Sequence, residues 1–202
     1  MANGLLLILC GPSGVGKTSL SDSLLSDSPF LSVSISYTTR PQRGEEKEGE
    51  AYHFVSPDRF LEMRDSGAFA EWAEVHGNYY GTSRAVIEEA WESGKDLLFD
   101  IDYQGAKQLK EAYPDAVAVL IAPPDMETLE ERLRGRGTDS PEVIRRRLGA
   151  ARHELEQYHL FDYIIENGNF NRARKDLFAV YLASRNARTI RESWLREMLE
   201  KT

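Results

Sequence analysis

The stretch "GLLLILCGPSGVGKTSLSDSLLSD", residues 4–27, decides the fold. It opens on an apolar run, Leu5 to Cys10, that reads as a strand buried on both faces. After Lys17 the pattern changes: Leu20, Leu24 and Leu25 fall on one side of a helix. Between the two lies a loop containing Gly11, Gly14 and Gly16. Strand, glycine loop and helix in this order are the context in which G-x-x-x-x-G-K-[ST] is a phosphate cradle rather than a chance match.

The cradle comprises Gly11, Pro12, Ser13, Gly14, Val15, Gly16, Lys17 and Thr18. Its glycines let successive N–H groups turn inward, and the first turn of the helix adds free N–H groups and partial positive charge. Lys17 is the point charge for the β- and γ-phosphates, and the Thr18 hydroxyl is a candidate magnesium ligand. The ligand expected here is a nucleoside triphosphate with its metal. A second acidic strand is expected nearby, and "DLLFDID" (96–102) supplies Asp100 and Asp102. With a period of two they face one side, and one of them, Asp102 by preference, is expected to serve the metal through water. The plainer alternative is a strand-ending pair that starts a turn.

Working outward, apolar strands alternate with helical patterns. "LSVSI" (31–35), "DLLFDID" and "AVAVLIAPP" (116–124) read as strands. So does "DYIIEN" (162–167). "SRAVIEEAWESG" (83–94), "QGAKQLKEAYP" (104–114), "DMETLEERLRGRG" (125–137) and "SPEVIRRRLGAARHELEQYHLF" (140–161) read as helices, and a single long helix is expected from about Asn171. The class is α/β, a parallel sheet flanked by helices with right-handed crossovers. Residues 35–82 interrupt the alternation with short extended pieces, "YHFV" (52–55) and "FAEWAEVHGNYYGT" (69–82), around a helix at 56–67. They are expected to form a small mixed excursion at the carboxyl ends of the strands, where such sheets bind ligands. An arginine-rich segment at 126–149 reads as a lid, leaving 1–34, 83–125 and 150–202 as the core of one domain.

Composition bounds the function. The chain has 202 residues, 41% apolar and 29% charged, which is ordinary for one well-cored domain. A net charge of -8 argues against broad nucleic-acid binding. No apolar run approaches the roughly 20 residues of a membrane span. One cysteine, Cys10, precludes an internal disulfide and reads as a small buried hydrophobe in a reducing cytoplasm. His53, His76, His153 and His159 show no metal-ligand spacing, and Trp72 and Trp91 read as packing residues. Trp194, Leu195, Met198 and Leu199 on the C-terminal helix read as packing too, with a homo-oligomer or docking surface as the alternative.

A phosphate cradle does not by itself separate a motor, a switch and a small-molecule kinase. No N-K-x-D base-reading motif is present, which weakens the switch. Arg136, in a "GRG" turn, is placed to close over a triphosphate and to neutralise charge on the transferring group. If the acceptor were a nucleoside monophosphate, its phosphate would need cations and hydroxyls rather than a general base. "SISYTTRPQRGEEKEGEAYHF" (34–54) holds Arg40, Arg43 and Tyr52 for that task, with Tyr80 further on. The acidic run at 44–50 reads as a solvated connector.

With "GPSGVGKT", "SYTTRPQRGE", "EWAEVHGNYYGT", "DIDYQGA", "IAPP", "RLRGRGTDS" and "RRRL" in hand, nearly the whole chain resembles the bacterial guanylate kinases. The resemblance implies a P-loop kinase fold and ATP- and magnesium-dependent conversion of GMP, with dGMP as a further acceptor, to the diphosphate. It implies that Ser36, Glu71 and Thr82 read the base with Asp100 close by, and that Arg40, Arg43, Tyr52 and Tyr80 hold the GMP phosphate. It implies further that Arg136 and Arg147 reach both substrates from the lid, and that Asn167 contacts the ATP nucleoside. Gly168 stands where an acidic residue is expected after that Asn. The rival readings are a guanylate-kinase-like scaffold module without turnover and a kinase of another phosphorylated small molecule.

Overall fold

The computed structural model describes residues 4–75, 77–135, 137 and 139–200. Strand β1 (Leu6–Cys10) lies at the centre of a parallel sheet because its side chains are buried on both faces. Leu7 and Leu9 enter one layer with Leu20, Leu24, Leu177 and Tyr181, while Leu6, Ile8 and Cys10 enter the other with Ile87, Ala106 and Leu109. This period-two division seats helices α1 (Lys17–Asp27) and α7 (Phe170–Arg185) on one face. Helices α3 (Arg84–Glu92) and α4 (Tyr103–Ala112) cover the other.

The remaining strands of this sheet are β2 (Leu31–Val33), β7 (Asp96–Asp100), β8 (Val117–Ala122) and β9 (Tyr163–Glu166). Their order is β2-β7-β1-β8-β9, and every neighbour is parallel. Asp100 is in register with Leu9, so the end of β7 lies directly beside the entry to the phosphate loop.

The second sheet is built from residues 37–83. Strands β3 (Tyr37–Thr38), β4 (His53–Phe54), β5 (Phe69–Val75) and β6 (Asn78–Ser83) run in the order β4-β3-β6-β5, with β3 and β4 parallel and the other pairs antiparallel. Helix α2 (Pro57–Asp65) packs Phe60 against the rings of Phe69 and Tyr79. Gln108 of α4 docks this sheet on the core, accepting from the Trp72 N–H and donating to its carbonyl at 3.2 and 2.7 Å. Past β8, α5 (Met126–Gly135) and α6 (Pro141–Glu156) pack on each other through Leu129, Leu133, Ile144 and Ala151.

Two expectations about the C-terminus are corrected. The single long helix is two, α7 and α8 (Arg188–Glu200), because the Asn186 side chain takes the Leu182 carbonyl at 2.7 Å and competes with helical bonding at the break. Nor do Trp194, Leu195, Met198 and Leu199 pack into a core: α8 buries no residue, and all four are exposed. The packing expectations for Trp72 and Trp91 fare better. Trp91 donates to the Gly4 carbonyl at 2.8 Å, and Arg64 covers the Trp72 ring. Among the described residues no helix is long and apolar enough to cross a membrane.

Candidate active site

The loop between β1 and α1 bends through left-handed backbone at Gly14 and Gly16 (φ 93° and 94°). A side chain at Gly16 would also come within 2.6 Å of the Asn167 amide nitrogen. Lys17 opens α1 and pairs with Asp100 from the neighbouring strand. Burial works against the Lys17 charge, but the Asp100 carboxylate more than offsets it and holds the ammonium above its usual range. Thr18 is exposed at the same place.

This loop is one wall of a cavity of about 440 Å³. Opposite it stand Ser36, Tyr52, Glu71 and Tyr80, brought there by the second sheet, while Asp100 and Asp102 line the floor. Glu71 is 3% exposed and sits opposite Thr82 across the β5–β6 ladder. Burial pushes its carboxyl up to about 7, although hydrogen bonds from the Thr82 hydroxyl and main chain pull the other way. Ser36 Oγ lies 3.5 Å from Thr82 Oγ1, so the two hydroxyls stand together beside the Glu71 carboxyl and either can donate to the other.

Arg40 is 7% exposed, with its guanidinium 5.2 Å from the centre of the Tyr52 ring and Nη1 donating to the Pro41 carbonyl at 2.8 Å. Tyr52 and Tyr80 meet edge to face at 5.9 Å. Burial raises the Tyr52 phenol, which keeps it a neutral donor. Tyr79 has a different place: its ring stacks on Phe60. Arg43 is exposed and does not line the cavity. Arg147 reaches from α6 to the Ser13 hydroxyl at 3.3 Å and pairs with Asp139 at 3.2 Å. Arg136 lies outside the described residues, as does His76.

Asp102 lies beyond the end of β7, so strand periodicity does not reach it. It caps α4, one oxygen accepting from the Gln104 and Gly105 N–H groups and the other from the Gln104 side chain. The main-chain cap uses Oδ1 alone, so a contact to a metal through water leaves the cap in place. Asn167 is buried behind the phosphate loop. Its side-chain amide donates to the Val15 carbonyl at 2.7 Å while its main-chain carbonyl accepts from Arg132 at 2.8 Å, so it braces the loop.

Three residues escaped the sequence reading. Glu154 of α6 lines the cavity and accepts from the Gly11 N–H; burial raises its carboxyl, and Lys17 partly offsets this. Arg132 joins Asn167 in bracing the loop. Gly105 lets α4 approach Glu71 closely: a Cβ there would lie 2.5 Å from Glu71 Oε2. No local pattern announces any of them, since their partners come from distant segments. Cys10 is buried with its thiol donating to the Ile101 carbonyl at 2.9 Å, and burial raises it well above the range of a reactive thiol.

The cavity joins a triphosphate loop to a carboxylate-and-hydroxyl pocket, and the comparisons with known proteins agree with that pairing. The family model described as guanylate kinase matches residues 3–183. Guanylate kinase of Aromatoleum aromaticum is 51% identical over 182 residues, 90% of this chain and 89% of that protein. Its counterpart in Oleidesulfovibrio alaskensis is 47% identical over 198 residues, 98% and 96% of the two. The crystal structure of guanylate kinase from Anaplasma phagocytophilum superposes with a TM-score of 0.78 at 32% identity, covering 98% of this chain and 95% of that one. A parallel sheet with its phosphate loop, a small mixed sheet facing it, and relatives aligned almost end to end place this chain in the guanylate kinase family.

Proposed function

We propose that the chain transfers the γ-phosphoryl group of ATP to GMP, yielding ADP and GDP. One observation carries this: a phosphate loop and a buried carboxylate beside two hydroxyls share a single cavity. Guanine presents N1–H and N2–H2 side by side, and the two oxygens of ionised Glu71 accept from both while Ser36 donates to O6. Adenine offers an acceptor at N1 and an amine at position 6, so the same groups would be buried unpaired. Sites of this kind discriminate by roughly 10⁴ to 10⁵.

The acceptor phosphate has a second pKa of about 6 and is largely a dianion near neutrality, so no general base is required. The task is to hold two anions in line and exclude water. Arg40, Arg43, Tyr52 and Tyr80 take the GMP phosphate, with Arg43 swinging in from its exposed position. Lys17 exchanges its Asp100 partner for the ATP phosphates, and Arg147 with Arg136 neutralises the transferring group from the lid. Closure then involves three parts, the core, residues 35–82 and the lid at 126–149.

Bound with the triphosphate, magnesium would neutralise part of the negative charge there. The donors fit it: Thr18 and Asp100 offer hard oxygens at the phosphate loop, which suits an ion held mostly by substrate phosphates and water. Asp102 can serve it through water with its cap intact. A panel of acceptors with ATP and magnesium tests the reading, with turnover expected for GMP and dGMP and none for AMP. Binding of GMP without turnover would instead favour a scaffold module, and turnover of a non-nucleotide phosphate would favour another kinase.

A further inference from the structure

The acidic run at residues 44–50 contains one side chain that touches an arginine of the site. Glu48 is engaged elsewhere, with the Phe54 N–H at 2.8 Å and His53 at 3.0 Å, and Glu50 pairs with exposed Lys47. Glu46 is different. Its Oε1 accepts from Arg40 Nη2 at 2.8 Å and its Oε2 from the Arg43 main-chain N–H at 2.9 Å. The Glu46 N–H in turn donates to the Arg43 carbonyl at 3.0 Å, so side chain and main chain close the same turn.

We propose that Glu46 is a positioning residue for GMP, holding the Arg40 guanidinium and the Arg43 main chain ready for the nucleotide's phosphate. The proposal rests on the assignment of Arg40 to that phosphate. A guanidinium withdrawn from water needs a counter-charge before its ligand arrives, and Arg40 is almost wholly buried. Its other close neighbours are the Pro41 carbonyl and the phenols of Tyr52 and Tyr80, none of them anionic near neutral pH. The Pro41 and Glu46 contacts occupy one N–H on each terminal nitrogen. Of the five donors of an arginine this leaves enough for a bidentate phosphate contact, in a plane already set. A placeholder anion, released when phosphate binds, would behave oppositely. The second contact to Arg43 argues against release, because letting go of Arg40 would not free the carboxylate from the turn.

The test compares wild type, E46Q, E46A, R40A and the double variant E46A/R40A by calorimetric GMP titration and steady-state kinetics. E46A is expected to raise both Kd and KM for GMP about tenfold, the scale of one lost charge-assisted hydrogen bond. E46Q, which retains an acceptor oxygen, should fall between wild type and E46A. The kcat at saturating GMP and the KM for ATP should stay unchanged, which a general loss of fold would not allow. The double variant should match R40A alone. GMP binding in E46Q and E46A as tight as in wild type, or tighter, overturns the proposal provided R40A weakens binding. If R40A itself leaves GMP affinity unchanged, the Arg40 assignment fails and the proposal with it.

Discussion

Removing the charge from Glu71 should make the free protein more stable and the enzyme worse, and both effects depend on pH in a calculable way. Burial holds the Glu71 carboxyl at about 7, against an ordinary value of 4.5. Its folded pKa is raised, so its contribution to stability is complete below about pH 4.5 and is lost as pH rises through about 7. At 1.36 kcal/mol for each unit, ionised Glu71 costs the free protein about 3 kcal/mol at pH 8. Substrate binding has the opposite sign, because only the carboxylate accepts from both guanine donors. With a pKa near 7, about a tenth of the sites are ionised at pH 6 and about nine-tenths at pH 8. The kcat/KM for GMP should therefore fall roughly tenfold between pH 8 and pH 6 from this group alone.

The phosphate of GMP also titrates in that window, so the control is E71Q, which keeps the phosphate effect and removes the carboxylate. At pH 8, E71Q trades two charge-assisted bonds for one neutral bond, a loss of about 1.5–3 kcal/mol or roughly 10- to 150-fold in kcat/KM. Its unfolding midpoint in urea at pH 8 should nevertheless rise. Coupled kinetic assays from pH 6 to 8 and urea titrations decide the matter. Parallel pH profiles for wild type and E71Q, together with a lower urea midpoint for E71Q at pH 8, would refute the reasoning.

K17A removes the cation aimed at the triphosphate and should lower kcat by about 10²–10³, read as steady-state ADP formation with the fold intact by circular dichroism. G105A would push a methyl against Glu71 Oε2, the movable end of a side chain, so KM for GMP should rise about tenfold while helix α4 gains up to about 1 kcal/mol of intrinsic propensity; an unchanged KM would show that Glu71 is not held by this approach. Asp96 is buried and accepts from the Leu5 N–H and the Tyr181 hydroxyl, both at 2.8 Å, besides pairing with Arg185 at 2.8 Å. D96A strands those partners and should cost about 3–5 kcal/mol in chemical denaturation, with kcat per folded molecule unaltered.

The phosphate loop was legible because everything it needs is contiguous: an apolar strand, glycines that bend, and a helix whose first residues are Lys17 and Thr18. The strand–helix alternation was equally legible, since buried strands and one-sided helices write their periods directly into the chain. Boundaries were less so. Asp102 and the break at Asn186 depend on short polar side chains that compete for main-chain groups, and such residues read alike whether they end an element or serve a ligand. The exposed face of α8 was misread for a related reason, because apolar spacing tells that a helix has an apolar side and not whether anything covers it.

The sequence by itself determined the α/β class, the triphosphate loop and the residue types able to receive a nucleotide. Tertiary structure decided which of those side chains face one another. Glu71 meets Thr82 through strand pairing and is approached by Gly105 from a helix of the other layer, and its raised pKa arises from that burial. Asn167 reaches Val15 across 152 residues of chain and braces the phosphate loop. Desolvation and hydrogen bonding act over a few ångströms of space, and only the folded backbone sets those distances between segments far apart in sequence.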